Sequence, residues 1–386
     1  MLASKLVRRL VLLLSAVVAV DTMFYTALAP LLPHFASRYG LSKSGAGVLS
    51  AMYAAGVLAA SIPGGMAAAR FGPKRAVLVG VALTAAASLG FGVAGSAWAL
   101  GAARLAQGIG SAFSWSGALA WLVAAGPPAR RGTLIGTVMG AAVFGALLGP
   151  ALGAVATVIG VRAIFLGVGA AGFALCAGVA AAPGSLAQPQ SLSALRRANG
   201  TLLTGFWLIA LPALLFGVLT VLVPLELHAR GWSGIAIGAL FFSTAAVETV
   251  FNPLLGRFTD RRGRWLPVKL ALAGSIGVSL TLAAANSAPL VAVCVVAAGV
   301  AFGAFFTPGM TLVSDSAERS GISLGLVFGV MNGAWAVGNV VGPAAGGALA
   351  ESAGDSLSYV LLAAICLATL VFTLAYPQAR SRPSSS

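Results

Sequence analysis

Twelve apolar runs, each about long enough to cross a bilayer, leave this chain few ways to fold. A membrane helix needs roughly 20 mostly apolar residues. Such runs fall near 10–33, 44–69, 76–96, 98–125, 132–157, 161–182, 202–227, 233–256, 266–286, 288–313, 321–350 and 356–376. What remains is short loops, one longer linker and two tails, with no room for a separate soluble domain. Only 8% of the 386 residues are charged and 59% are hydrophobic, where a soluble domain carries about 25% charge. Disorder is excluded on the same ground. The net charge of +15 and mean hydropathy of +0.99 belong together. A basic chain this apolar has no polar face for a phosphate backbone, so the expected partner is the lipid bilayer and not nucleic acid.

The basic residues set an orientation. With the N-terminus in the cytoplasm, 18 Lys and Arg fall on inner segments and 4 on outer ones, with Arg104 left inside the fourth run. That asymmetry predicts a multi-pass protein of the cytoplasmic membrane with both termini cytoplasmic. Lys5, Arg8 and Arg9 before an apolar stretch resemble a secretion signal. Asp21 interrupts that stretch, however, and its length suits a span, so it reads as retained. Cys176, Cys294 and Cys366 are scattered in apolar runs and read as filler.

A linker at 183–201 divides the chain into an N-terminal six-helix half, 1–182, and a C-terminal one, 202–386. The halves repeat. Gly136, Gly140, Gly145, Gly149, Pro150 and Gly153 recur as Gly329, Gly333, Gly338, Gly342, Pro343 and Gly346, each 193 positions on. Gly65, Gly72 and Pro33 recur as Gly256, Gly263 and Pro224, 191 positions on. Two parallel six-helix halves imply a transporter with a site between them. Glycines four apart let helix backbones approach closely, and the prolines are expected to bend their helices.

Three motifs resemble the major facilitator superfamily, over essentially the whole chain. The loop pattern G-x-x-x-D-R-x-G-R-R/K is matched after the second run by Gly65, Arg70, Gly72, Lys74 and Arg75, with Ala69 replacing the acid. After the eighth run it is matched by Gly256, Asp260, Arg261, Gly263 and Arg264. The resemblance implies a cytoplasmic gate latch that leans on Asp260. R-x-x-Q-G-x-G is matched by Arg104, Gln107, Gly108 and Gly110. The pattern G-x(8)-G-x(3)-G-P-x(2)-G-G is matched by Gly136, Gly145, Gly149, Pro150 and Gly153, with Ala154 in place of the last glycine, and repeated by Gly329, Gly338, Gly342, Pro343, Gly346 and Gly347. This last motif resembles the twelve-span drug:proton antiporters. It implies an all-α membrane fold, exchange of protons for a small molecule, and a monomer.

Of eight acids, Asp21 and Glu248 lie well inside spans. A charge at that depth costs about 2.5–3.5 kcal/mol on insertion scales, and an apolar setting favours the neutral form. Both are candidate proton carriers, with Arg104 as the neighbouring cation. An Asp21–Arg104 ion pair is the purely structural alternative. Polar and aromatic stripes outline a candidate substrate cavity: Phe24 and Tyr25 beside Asp21; Gln107 and Trp115 on span four; Asn252 on span eight; Asn332, Trp335 and Asn339 on span eleven. Such a lining suits lipophilic, often cationic compounds. Asp315, Glu318, Glu351 and Asp355 read as loop charges, and Glu226 as an outer-gate or solvated residue.

No enzyme signature is present. The two histidines, His34 and His228, offer no metal cluster, and no phosphate-binding loop suggests ATP hydrolysis. No metal and no cofactor are expected. A proton gradient supplies the energy, at about 2.3 kcal/mol per 100 mV and about 1.4 kcal/mol per pH unit. The expectation is a proton-driven exporter. The alternatives are an importer or facilitator of a small nutrient, or a non-transporting receptor or scaffold.

Overall fold

The computed structural model describes residues 2–125, 131–184, 200–319 and 324–375, and no strand occurs among them. Fourteen helices follow one another: α1 Leu2–Thr26, α2 Leu28–Tyr39, α3 Lys43–Phe71, α4 Pro73–Val93, α5 Ala97–Ala125, α6 Arg131–Ile159 and α7 Val161–Ala181; then α8 Gly200–Ala229, α9 Gly234–Arg262, α10 Trp265–Ala283, α11 Ala288–Gly303, α12 Phe306–Arg319, α13 Leu324–Ala353 and α14 Asp355–Ala375. They form twelve rods once α1–α2 and α11–α12 are each taken as one. Nine spans among the described residues are long and apolar enough to cross a membrane, and the α1–α2 pair, bent by 41°, makes a tenth. The other two rods, α5 and α13, have 29 and 30 residues. Residues 185–199 of the expected linker lie outside the described residues.

The repeat is written into the turns. All six glycines with positive φ among the described residues fall into three pairs: Gly40 with Gly231, Gly72 with Gly263, and Gly160 with Gly354. Gly72, Gly160 and Gly354 each form a one-residue turn between helices, in a left-handed conformation that glycine adopts without a Cβ clash. The caps repeat as well. Ser42 accepts from the Gly45 amide at the start of α3, and Ser233 accepts from the Ala236 amide at the start of α9.

Spans one and ten are broken where continuous helices were expected, and proline explains both. A proline ring collides with the carbonyl four residues back and supplies no amide to it. Pro30 acts on Thr26, where α1 ends, and Pro308 acts on Ala304, where α11 gives way to α12. Yet α6 and α13 run unbroken through Pro150 and Pro343. At Pro150 the freed carbonyl of Ala146 lies 3.2 Å from the Thr26 hydroxyl, whose single proton it shares with Thr22 O at 3.1 Å, the kind of repair that lets membrane helices absorb proline.

Glycine decides which helices touch. α5 lies against α3 and α4, and α6 against α1; in the second half α13 lies against α8, and α11 against α9. The glycine comb divides in two. Gly145, Gly149 and Gly153 meet α1 and the start of α2, while Gly338, Gly342 and Gly346 meet α8. Gly136, Gly140, Gly329 and Gly333 face open space in both halves. Contacts between residues before and after the linker concentrate at the end of the bundle remote from the N-terminus. There α3 meets α13, α6 meets α9, and Lys43 pairs with Asp355 at 2.5 Å.

Candidate functional site

Asp21 lies in the last quarter of α1 and is 4% exposed. Its Oδ2 accepts hydrogen bonds from Ser111 Oγ at 2.7 Å, Trp115 Nε1 at 2.8 Å and the Tyr53 hydroxyl at 3.1 Å. Tyr53 also reaches Ser111 at 2.9 Å. Oδ1 is buried with no hydrogen-bond partner among the described residues. Every donor to this carboxyl is uncharged. Beside it lies a void of ≈ 20 Å³ lined by residues such as Val17, Phe24, Val81 and Ala85, room for about one water.

Arg104 does not pair with Asp21. The α1–α2 break leaves carbonyls at the end of α1 without helical partners, and Arg104 takes two of them: Phe24 O at 3.0 Å and Tyr25 O at 3.3 Å. The guanidinium also lies 4.9 Å from the Tyr53 ring centre and 3.4 Å from Gln107 Oε1. A cation at a helix C-terminus is favourable, so the break gives the buried arginine its place.

Tyr25 joins this centre to the second half. Its hydroxyl donates to Asn339 Oδ1, and its ring meets Tyr53 at 5.1 Å and Trp335 at 4.9 Å. Four expected cavity residues (Tyr25, Trp115, Trp335 and Asn339) thus gather around Asp21 and the interface. Two lie within the first half, away from the interface. Phe24 is 1% exposed and stacks on Phe165 within the first half. Gln107 is fully buried and donates to Ser88 between α4 and α5. Asn252 and Asn332 are half-buried on other helices. Gly108 and Gly110 let α5 close onto α3 and α4: a Cβ at Gly108 would meet the Tyr53 backbone, and one at Gly110 the Gly80 carbonyl. Tyr53 was missed in the sequence. Its signal was a lone phenol in a run of small apolar residues, where a buried hydroxyl needs a partner.

The described residues of the loop motifs make the following contacts. Lys74 caps α7 through the carbonyls of Ala180 and Ala182, at 2.7 and 2.5 Å. Arg264 pairs with Asp315 at 2.8 Å, which is therefore more than a loop charge. Arg70 lies over its neighbour Phe71, and Arg75 and Arg261 are exposed. Gly65 and Gly256 meet nothing within 4 Å. The Asp260 side chain lies outside the described residues. Glu351 and Asp355 also differ from expectation: they contact Ser44 and Lys43 across the interface.

A polar centre in the first half, joined through Tyr25 to Asn339 of the second, sits within two glycine-packed helix sets. The sequence profile of the Major Facilitator Superfamily matches residues 14–328 and 205–386. The chain belongs to that family; it is a transporter by membership and not an enzyme. It is 32% identical over 144 residues to a probable vesicular acetylcholine transporter-B of Danio rerio, covering 36% of this chain and 28% of that protein. To the synaptic vesicular amine transporter of Homo sapiens it is 28% identical over 137 residues, 34% of this chain and 26% of that protein. The chain thus spans little more than a quarter of these relatives. In fold it is similar to a bacterial homologue of the human lysosomal transporter Spinster in an inward-facing, occupied conformation, with TM-score 0.79, 16% identity, and 97% and 98% of the two chains covered. The xylose transporter XylE of E. coli, partially occluded and inward-open, gives 0.76 at 16% identity, over 96% and 98%.

Proposed function

We propose that this chain exports a small lipophilic compound across the cytoplasmic membrane in exchange for protons, by alternating access. The observation that carries the reading is the Asp21 carboxyl: buried at mid-span, held by three uncharged donors, and without a cation. The neutral acid fits this setting with its proton on Oδ1, the oxygen that has no other partner. The ionised acid keeps three hydrogen bonds. A carboxyl with one oxygen held by donors and the other left for a proton suits a carrier that loads and unloads a proton. Arg104, fixed on the carbonyls of α1, stands nearby without forming an ion pair with Asp21.

The partial relatives, vesicular acetylcholine and amine transporters, support an organic amine as cargo. The positive-inside bias places both termini in the cytoplasm. The end closed by Lys43 and Asp355 is then the outer one, and the central site opens inward. The protein acts as a monomer, with the proton gradient in place of a cofactor.

Everted membrane vesicles with ethidium as the probe test this. Acidifying the interior should drive ethidium in for the unmodified protein, and Asp21→Asn should abolish that uptake. An Asp21→Asn protein that accumulates ethidium with the same dependence on the pH gradient would end the proton-carrier role.

A further inference from the structure

Glu248 stands where the first half of the chain has a core valine. The halves share a packing frame at an offset of 191. The contact of Gly108 with Tyr53 recurs as that of Gly299 with Thr244, where an added Cβ would lie 2.9 Å from the Thr244 carbonyl oxygen. One turn further, the first half has Val57 and Ala112 in one apolar cluster. Their counterparts are Glu248 and Gly303. A Cβ on Gly303 would lie 2.8 Å from Glu248 Oε1, so the missing methyl makes the room that the carboxyl fills.

The carboxyl faces inward. Ile235, Phe242, Val250 and Leu254 are exposed and mark the lipid side of α9. At about 100° per residue, Glu248 points the opposite way, with buried Ile237 and Thr244. Asn252 follows one turn later on the same face. Neither Glu248 nor Asn252 has a hydrogen-bond or ion-pair partner among the described residues. Of the arginines on α9, Arg257, Arg261 and Arg262 lie two turns or more towards its end. Gly303 is the last residue of α11, and a helix C-terminus carries partial negative charge.

We propose that Glu248, Asn252 and the last turn of α11 at Gly303 form a cation-binding site, separate from Asp21, that takes the positive group of a monovalent organic cation. One carboxylate and one carboxamide suit an organic cation better than a bare metal ion, which asks for a fuller oxygen shell. Asp21 cannot serve, because its Oδ2 is occupied by three donors and the void beside it admits about one water. The inference rests on the transporter reading but not on proton exchange at Asp21.

Thermal unfolding of the purified full chain in detergent tests it, with tetraphenylphosphonium as the cation, triphenylphosphine oxide as its neutral counterpart, and sodium chloride as a separate arm. Tetraphenylphosphonium should stabilise the unmodified protein and Asp21→Asn at the same concentrations. Glu248→Gln and Glu248→Val should need at least about tenfold more. Gly303→Ala should weaken binding as well, and the neutral compound should not distinguish the variants. Glu248→Val places the valine of the other half in an apolar setting and removes a buried acid, so it should fold, which keeps the comparison readable. Unchanged binding in both Glu248 variants overturns the site, as does no shift in the unmodified protein, or loss in Asp21→Asn alone. Stabilisation by sodium that depends on Glu248 overturns the organic assignment. Failure of proton exchange at Asp21 would leave all these readings intact.

Discussion

The centres of the two halves share a frame and differ in what is hung on it. At the offset of 191, Asp21, Arg104, Ser111 and Trp115 correspond to Pro212, Val295, Phe302 and Phe306. The polar cluster of the first half is apolar in the second: Val295 is 1% exposed and Phe302 fully buried. The reverse holds at Val57 and Glu248. The glycine contacts that set helix spacing recur in both. What is repeated is therefore backbone packing. What is not repeated is the chemistry, with one acid enclosed by donors and the other without any. A symmetric scaffold can hold two unlike sites because glycine contacts fix distances and leave the remaining positions open to change.

The largest expected effect lies at the point of greatest difference. Arg104→Ala leaves the Phe24 and Tyr25 carbonyls buried without a donor, at roughly 1–3 kcal/mol each. It should give the largest fall in thermal stability in detergent. Arg104→Lys keeps a charge but loses the planar fork that reaches both carbonyls, and should fall between. Val295→Ala at the matching place removes only apolar contacts and should cost less than Arg104→Ala. Equal losses at 104 and 295 would mean that the arginine is held as packing and not as a cap.

Much of the frame was legible in the sequence, because it is written in glycine, proline and run length. The sequence repeat pairs Gly72 with Gly263, and both are turns with positive φ. The breaks were not placed. The proline rule was applied to Pro150 and Pro343, which their helices absorb, while Pro30 and Pro308 are where helices end. The difference depends on a distant neighbour, Thr26 for the Pro150 helix, which local pattern does not contain. Asp21 and Arg104 were legible as rare charges in apolar runs. Their partners were only half legible. Ser111 and Trp115 lie on the same stripe as Arg104, but Tyr53 comes from another helix. Lys43 and Asp355 are 312 positions apart, and nothing local joins them.

Glycine packing offers a middle-sized test of the shared frame. Gly108→Ala puts a Cβ 2.8 Å from the Tyr53 carbonyl carbon and 2.9 Å from the Val57 amide nitrogen. Both are backbone and neither can rotate away. Overpacking of this kind costs about 1–3 kcal/mol, and displacing Tyr53 should also disturb Asp21. Gly299→Ala meets a movable Thr244 methyl as well as backbone and should cost no more. Gly136→Ala and Gly329→Ala enter open space and should be neutral, or stabilising by up to about 1 kcal/mol. Melting temperatures of the four variants would rank them. A loss at Gly136 as large as at Gly108 would show that the open part of the comb closes against another helix in a further state.

The smallest effect on stability, and the one that joins the two halves, belongs to Lys43. Its pair with Asp355 is partly open to solvent, with the side chains 39% and 23% exposed, and exposed pairs contribute at most about 1 kcal/mol. Lys43→Ala should therefore scarcely move the melting temperature. The pair nonetheless spans the interface at its closed end, beside the bond from the Ser44 amide to Glu351 at 2.9 Å. Removing even a few tenths of a kcal/mol from one of two nearly balanced states shifts their populations. Spin-label distances between α3 and α14 at that end should lengthen in Lys43→Ala and in Asp355→Asn. High salt screens exposed charges to within about 3 Å at 1 M, so it should produce part of the same shift in the unmodified protein and none in Lys43→Ala. If salt moved both proteins equally, the closure would rest on the glycine contacts of Gly47 and Gly347 alone, and the charge pair would be incidental to which end of the bundle is shut.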